Sequence, residues 1–220
     1  MNASALITVP ARAFHAVLKR WGASATKQKI WNAEYESGKW RDIDPQDSAT
    51  IQRDLVYAVL EKWADRGDML DLGCGTGSTA VQIDDVYRSY LGIDISPVAI
   101  EWARKHIAQN PAKALKTSFA VAPIEAFSTQ RTFDVVLYRE CLYYFALGQI
   151  KSILSGHSRF LSDRGVFVVR LHDRNRYEKI VSHITQTYDV LEKVAPAGDP
   201  TIVLVFRPCP SRLVSGKATL

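Results

Sequence analysis

The chain has 220 residues, of which 47% are hydrophobic and 23% charged, and its formal net charge is +5. This composition is ordinary for a globular protein with a buried core, and it predicts one α/β domain over residues 1–220. The basic residues are spread along the chain and no apolar run approaches membrane-spanning length, so neither a nucleic-acid partner nor a membrane is expected. Cys74, Cys141 and Cys209 lack metal-ligand spacing, so we expect no metal or disulfide framework and a reducing, cytoplasmic location.

The first predicted segment, residues 1–48, combines a basic helix with an aromatic stretch. Residues 1–30 contain no acidic side chain, and apolar residues recur at helical spacing at Phe14, Val17, Leu18 and Trp21. Trp31, Tyr35 and Trp40 then surround a Ser-Gly turn at residues 37–38. Two interpretations stay open: the three rings staple this segment to the core, or they form a lid over a ligand whose cationic group suits aromatic faces.

The predicted core spans residues 49–207 and begins with an amphipathic helix over residues 50–64. Residues 69–72 are typical of a buried strand, and a turn with three alternate glycines follows at Gly73, Gly75 and Gly77. Glycine permits backbone angles and close approaches that a Cβ would block. The helix after such a turn presents free N–H groups, so the stretch is a candidate ligand-binding loop.

Asp71 distinguishes this loop from a dinucleotide-binding fingerprint, whose third glycine position is here Ser78. A carboxylate two residues before the first glycine suits an ammonium or sulfonium group better than a pyrophosphate. The pattern D-x-G-x-G-x-G resembles motif I of the class I S-adenosylmethionine-dependent methyltransferases. The resemblance covers about residues 30–207, and it implies the cofactor S-adenosylmethionine, the product S-adenosylhomocysteine, and cofactor contacts from the lid, Asp71 and the three glycines.

The second and third predicted strands, residues 90–94 and 118–121, contribute further cofactor contacts by the same resemblance. Asp94 ends the second strand where the family's acid binds the ribose hydroxyls, with Ile95 beside it, although a lone acid here can also be a helix cap. After the third strand, residues 122–123 are Ala-Pro where family members commonly carry Gly-Asp. Because proline has no N–H, adenine recognition is left to Ile124, to Glu125 or to backbone carbonyls.

The fourth predicted strand, residues 133–138, continues into a run similar to the family's motif IV region. The resemblance implies that Tyr138, Glu140, Tyr143 and Tyr144 line the reaction centre. Metal-dependent quinone-ring methyltransferases carry E-x-x-E-H here, whereas this chain has tyrosines at the latter positions, so no bound metal is expected. The run Glu-Cys-Leu-Tyr-Tyr-Phe is similar to that of the nodulation-factor N-methyltransferases, which implies a sugar or sugar-linked amine as acceptor.

The fifth predicted strand, residues 166–171, is followed by His172. Imidazole titrates near neutrality, so His172 is the first candidate for a general base, against the alternative of a packing or surface histidine. Residues 188–194 and 201–207 are predicted strands whose connection is too short for a crossover helix, so they must be antiparallel. The predicted fold is a Rossmann-like, seven-stranded, mostly parallel sheet with a C-terminal antiparallel hairpin and helices on both faces, followed by a loose tail over residues 208–220.

The sequence thus predicts methyl transfer from S-adenosylmethionine to a nitrogen or oxygen of a small molecule. Two alternatives stay open: a non-catalytic S-adenosylmethionine-binding subunit of another protein, and a methyltransferase acting on RNA or protein. The oligomeric state is left open.

Overall fold

A seven-stranded sheet organises the part of the chain that the structure, a computed structural model, describes, namely residues 11–40 and 54–209. Its strands are β1 (Asp68–Leu72), β2 (Ser89–Asp94), β3 (Thr117–Val121), β4 (Phe133–Arg139), β5 (Leu161–Leu171), β6 (Asp189–Val194) and β7 (Ile202–Arg207). The spatial order is β3-β2-β1-β4-β5-β7-β6. Strands β1 to β5 are parallel, whereas β7 pairs antiparallel with both β5 and β6.

Helices cover both faces of this sheet. They are α1 (Ala11–Trp21), α2 (Ser24–Glu36), α3 (Leu55–Ala64), α4 (Ser78–Gln82), α5 (Pro97–Ile107), α6 (Pro111–Ala114), α7 (Leu147–His157) and α8 (Glu178–Thr187). Successive strand residues point to opposite faces, so Val135 and Leu137 pack with α3 and α5, while Val136 packs with α7 and α8. The predicted fold class is confirmed.

The N-terminal region differs from the prediction in its helices. Residues 24–36 form a second helix, α2, so Trp31 and Tyr35 are helical and only the predicted turn at residues 37–38 separates them from Trp40. Helix α1 packs against α2. Asp54 caps α3 by accepting a hydrogen bond from the Val56 N–H at 3.1 Å. Residues 50–53 of the predicted helix, and residues 210–220 of the predicted tail, lie outside the described residues.

Strand β5 begins at Leu161 rather than at residue 166. Its pairing with β4 is interrupted by a bulge between the Phe133 and Val135 positions, which absorbs the extra residues. At Gly165 a Cβ would lie 2.6 Å from the Phe133 carbonyl oxygen, so the two strands approach closely there. Within the described ranges, no helix is long and apolar enough to cross a membrane.

Candidate functional site

The carboxyl ends of β1, β2 and β4 meet at one edge of the sheet, where α2 covers a cavity of about 330 Å³. Ligand sites of open α/β sheets lie at this edge because the strand order reverses there. Most of the sequence-predicted site residues line the cavity: Trp31, Tyr35, Trp40, Asp71, Gly73, Gly75, Asp94, Ile95, Ile124, Glu125, Glu140, Tyr143 and Tyr144. Gly77, Tyr138 and His172 are placed elsewhere, as described below.

The glycine loop forms one wall of the cavity, and all three of its glycines have positive φ, at +83°, +55° and +78°. Gly75 donates its N–H to Asp94 Oδ2 at 3.0 Å, which ties the loop to the end of β2. A Cβ on Gly75 would lie 3.0 Å from the Tyr35 hydroxyl. The positive φ therefore favours glycine at this position, and a Cβ would press on the Tyr35 hydroxyl.

Gly77 contributes to packing and does not line the cavity. It precedes the short helix α4, and a Cβ there would lie 3.0 Å from Ala103 Cβ and 3.1 Å from Phe119. Gly77 was expected to contact the cofactor, and the structure places it beside the cavity wall, where it lets α4 and its loop approach α5 and β3.

Asp71 is almost fully buried, and its two carboxylate oxygens have different surroundings. The Tyr90 hydroxyl donates to its Oδ2, whereas its Oδ1 has no hydrogen-bond partner among the described residues. Burial raises the pKa of Asp71 to about 6, against the opposing effect of the Tyr90 hydrogen bond. A buried carboxylate oxygen without a partner is costly unless a ligand satisfies it.

Asp94 is held in place by backbone donors. Its Oδ1 accepts from the Ser96 N–H at 2.8 Å, and its Oδ2 accepts from Gly75. Burial raises the pKa of Asp94 to about 6, although these backbone hydrogen bonds lower it. Ser96 in turn caps α5 through its own hydroxyl, 3.2 Å from the Ala99 N–H, so Asp94 is not the side chain that caps this helix.

Helix α2 is tied to the cofactor loops by three polar contacts that the sequence did not reveal. Lys27 Nζ lies 3.0 Å from Glu125 Oε1, and Gln28 Nε2 donates to the Ile95 carbonyl at 2.9 Å. The Ser96 hydroxyl donates to Asn32 Oδ1 at 2.6 Å. These contacts place a buried ammonium, Lys27, beside Glu125 at the edge of the cavity where adenine recognition was expected.

Arg139 is a second residue that sequence reasoning missed. Its Nη2 lies 3.0 Å from Asp54 Oδ2, and its Nη1 donates to Ser78 Oγ at 2.9 Å. Arg139 lines the cavity, and its buried Nε has no hydrogen-bond partner among the described residues. The cavity thus contains an unsatisfied guanidinium nitrogen as well as the unsatisfied oxygen of Asp71.

Tyr138, in contrast, faces the core. It is fully buried, and its hydroxyl lies 2.7 Å from His157 Nδ1 beneath α7. The same burial lowers the pKa of His157 to about 4, so the pair is neutral. Tyr138, predicted to line the reaction centre, is thus placed in the core, because the pleat of β4 points Tyr138 and Arg139 to opposite faces.

Glu140 organises the cavity wall beyond β4. It adopts φ +55°, which is uncommon for a residue other than glycine and clusters at functional sites. Its carboxylate accepts hydrogen bonds from Arg170, from the Tyr143 hydroxyl at 2.9 Å and from His172 Nδ1 at 2.5 Å. His172 does not line the cavity itself, but it contacts two residues that do, Glu140 by a hydrogen bond and Tyr143 ring to ring at 5.3 Å.

Tyr143 and Tyr144 complete the wall. Burial and the Glu140 carboxylate raise the pKa of Tyr143 far above its ordinary value, so its hydroxyl stays a hydrogen-bond donor. The Tyr144 ring meets the Trp31 ring edge to face at 4.8 Å. In the described part of the chain, no three His, Cys, Asp or Glu side chains are grouped so that they could hold a metal ion.

The family model described as "Methyltransferase domain" matches residues 64–200. The chain therefore belongs to this family, and the class of S-adenosylmethionine-dependent methyltransferases expected from the glycine loop and Asp71 is confirmed.

Curated relatives share this region. The mitochondrial ubiquinone biosynthesis O-methyltransferase of Schizosaccharomyces pombe is 28% identical over 139 residues, 63% of this chain and 49% of that protein. Nodulation protein S of Rhizobium tropici is 25% identical over 140 residues, 59% of this chain and 57% of that protein. The chain thus spans about half the length of the curated relatives it matches.

Solved structures show the same fold. The N-methyltransferase NodS from Bradyrhizobium japonicum WM9 in complex with S-adenosylhomocysteine has a TM-score of 0.60 at 20% identity, over 79% of this chain and 97% of that chain. The magnesium protoporphyrin IX methyltransferase from Synechocystis PCC 6803 with bound S-adenosylmethionine has a TM-score of 0.62 at 14% identity, over 84% of this chain and 96% of that chain.

Proposed function

We propose that this protein transfers the methyl group of S-adenosylmethionine to a nitrogen or oxygen of a small molecule. The observation that carries the proposal is that two side chains of opposite charge, Asp71 and Arg139, line one cavity. An amino-acid group carries one ammonium and one carboxylate, and it would satisfy both at once. The methionyl part of S-adenosylmethionine has this zwitterionic form, whereas a dinucleotide would bring its negatively charged pyrophosphate towards Asp71.

The remaining cavity residues fit the nucleoside part of the same molecule. Asp94 presents an ionisable carboxylate at the end of β2, where it can accept hydrogen bonds from two ribose hydroxyls. Ile124 supplies an apolar surface, and the Lys27–Glu125 pair supplies polar groups for an adenine edge. The absence of an N–H at Pro123 is thereby compensated by side chains of two separate elements.

When bound, S-adenosylmethionine supplies a methyl group that its sulfonium already activates. The chain therefore mainly has to align the acceptor and exclude water. Trp31, Tyr35 and Trp40 cover the cavity from α2 and the turn after it, which supports the lid interpretation. His172 lies behind Glu140, whose carboxylate lines the cavity and accepts a hydrogen bond from the imidazole.

Glu140 is better suited to position its neighbours than to act as the base itself. Three donors share its carboxylate, namely the Arg170 guanidinium, the Tyr143 hydroxyl and the His172 imidazole, so it holds these side chains in place. We therefore assign Glu140 the role of orienting Tyr143 and His172. His172 remains the proposed base where the acceptor must lose a proton.

The finer proposal is that the acceptor is a sugar or a sugar-linked amine. It is supported by the resemblance of residues 140–145 to nodulation-factor N-methyltransferases and by the similarity to nodulation protein S. One other relative is named for ubiquinone biosynthesis, and another is named for the acceptor 2-heptyl-1-hydroxyquinolin-4(1H)-one.

Calorimetry with matched ligands tests the cofactor proposal. We expect the wild-type protein to bind S-adenosylhomocysteine but not NAD. Arg139→Met should weaken binding of S-adenosylhomocysteine and leave binding of 5′-methylthioadenosine, which lacks the amino-acid part, unchanged. Binding of NAD alone would overturn the proposal, and S-adenosylhomocysteine binding without methyl transfer to any amine or hydroxyl compound would favour the non-catalytic subunit.

A further inference from the structure

The cavity contains a cation-binding arrangement that is already filled by the chain itself. Lys19 Nζ lies 3.7 Å from the centroid of the Trp31 ring, 5.8 Å from that of Trp40 and 5.4 Å from that of Tyr144. Glu34 Oε2 lies 2.6 Å from the same nitrogen. Trp31, Trp40, Tyr144 and Glu34 are hereafter called the ammonium cage.

The ammonium cage is assembled by packing between distant parts of the chain. The Trp31 and Trp40 ring centroids are 5.9 Å apart, and Tyr144 approaches Trp31 from the loop after β4. Burial alone would raise the pKa of Glu34, but hydrogen bonds from Lys19 and Lys39 lower it, so the carboxylate stays ionised. Aromatic faces attract a desolvated ammonium through the negative charge of their ring faces, so the arrangement favours an alkylammonium group.

The ammonium cage opens into the cofactor cavity. Trp31, Trp40 and Tyr144 line that cavity together with Gly75 and Asp71. A cation held in the cage therefore shares one enclosed space with the proposed methyl donor. A hydroxyl acceptor could donate a hydrogen bond to the carboxylate but carries no charge for the aromatic faces, whereas an ammonium would gain from both.

Lys19 comes from a peripheral helix, which makes its ammonium replaceable. Helix α1 packs against α2, and its residues Val17 and Trp21 are 54% and 65% exposed. Burial also lowers the pKa of Lys19 despite the nearby Glu34 carboxylate. The ammonium of Lys19 thus occupies a site that another primary alkylammonium would fit.

We infer that the ammonium cage binds an amine acceptor through its ammonium group, and that Lys19 holds this site when the acceptor is absent. The bound ammonium must release one proton to the proposed base before its nitrogen lone pair can displace the sulfonium sulfur at the methyl carbon. The inference rests on the proposed function, because it names the acceptor class for the same cavity. Lys19 acts as an internal competitor, so the acceptor must displace it. The acceptor class is therefore a primary alkylamine, with a sugar-linked amine as one member.

Calorimetry with n-butylammonium chloride tests the site directly, with n-butanol as the uncharged probe of equal length. Lys19→Ala should bind n-butylammonium at least about tenfold more tightly than the wild-type protein, because the competing ammonium is gone. It should not bind n-butanol measurably. Adding Trp31→Ala to Lys19→Ala should remove the n-butylammonium binding.

Lys62 offers a matched control. Its Nζ lies 5.6 Å from the Trp63 ring centroid and 2.8 Å from Glu192 Oε2, but it is exposed and outside the cavity. Lys62→Ala should create no n-butylammonium binding. The inference would be overturned if n-butylammonium bound equally weakly to Lys19→Ala, to Lys62→Ala and to the wild-type protein.

The wild-type protein gives a second readout that needs no variant. n-Butylammonium should accelerate amide hydrogen exchange across α1, because displacement of Lys19 releases the helix, and n-butanol should not. Unchanged exchange at saturating n-butylammonium would also overturn the inference. S-adenosylhomocysteine binding to the wild-type protein is measured in parallel. If S-adenosylhomocysteine does not bind, the proposed function is refuted. If it binds but n-butylammonium does not bind to the ammonium cage, only the acceptor site is refuted.

Discussion

The two sides of the cavity are built in different ways. The cofactor side is formed by the glycine loop, Asp71 and Asp94, which lie within one short stretch of chain and are held by backbone angles and backbone N–H groups. The acceptor side brings Lys19 and Trp31 together with Tyr144 through side-chain packing between distant elements. A local motif therefore identifies the cofactor, whereas the acceptor depends on contacts that no contiguous stretch encodes.

The largest expected effect lies on the cofactor side. Gly75→Val should reduce S-adenosylhomocysteine binding below calorimetric detection, because the valine would adopt φ +55° and approach the Tyr35 hydroxyl. The backbone strain costs of the order of 1–3 kcal/mol, so the protein should still fold. Gly148→Val is the control, since no atom lies within 4 Å of a Cβ there. Normal binding by Gly75→Val would mean that the loop does not cradle the cofactor.

A smaller loss is expected at Asp94. Asp94→Ala should weaken S-adenosylhomocysteine binding by about 1.5–3 kcal/mol through lost hydrogen bonds to a charged group. Asp189→Ala is the matched control, because Asp189 of β6 forms an exposed ion pair with Arg207 of β7. Unchanged affinity in Asp94→Ala would show that Asp94 only orders the glycine loop and the start of α5.

The pH dependence of S-adenosylhomocysteine binding is a further test of the cofactor side. The pKa values of Asp71 and Asp94 are about 6, and both carboxylates are expected to bind the cofactor in their charged forms. Affinity for S-adenosylhomocysteine should therefore fall by about tenfold per carboxylate between pH 7 and pH 5. Asp94→Asn should remove one of these two contributions, and a flat profile in the wild-type protein would contradict the assignment.

The free energy of unfolding of the unliganded protein should change with pH in the opposite direction to the affinity. Both pKa values are raised on folding, so protonation of these carboxylates favours the folded state. Their stabilising contribution is fully present below the ordinary aspartate pKa of 3.8 and is lost as the pH rises through about 6. Urea denaturation at pH 4.5 and pH 7, comparing wild type with Asp94→Asn, separates this contribution from that of other groups.

The lid lies between the two sides, and a variant there tests whether it closes over the cofactor or only packs on the core. Trp40→Ala should weaken cofactor binding with little loss of thermal stability if the segment closes over the ligand. Packing alone would instead cost about 3–5 kcal/mol of stability and leave the affinity unchanged. Trp63→Ala, a partly buried tryptophan outside the cavity, is the control. Ligand should also protect residues 30–40 from proteolysis, and equal protection without ligand would reject the lid.

The smallest effect is expected from a chelator. EDTA should leave the conversion of S-adenosylmethionine to S-adenosylhomocysteine unchanged, because Tyr143 and Tyr144 stand where the metal-dependent relatives of the motif IV region carry ligands. A loss of activity that magnesium restores would contradict this prediction.

The sequence by itself determined the fold class, the glycine loop and the acids at the ends of β1 and β2. These features depend on local rules: apolar runs for buried parallel strands, glycine where φ is positive, and a carboxylate placed by the end of its strand. The antiparallel β6–β7 pair was also predictable, since a short connection cannot cross over a sheet.

Only the tertiary structure decided which side chains reach the cavity. Tyr138 and Arg139 are adjacent, and the sequence favoured Tyr138, yet Arg139 lines the cavity while Tyr138 bonds His157 in the core. A central strand that is apolar on both faces shows no alternation from which its facing could be deduced. Lys19 and Lys27 were missed for a related reason: each is buried by contacts with residues far away in the chain, and their spacing along α1 and α2 is that of ordinary surface lysines.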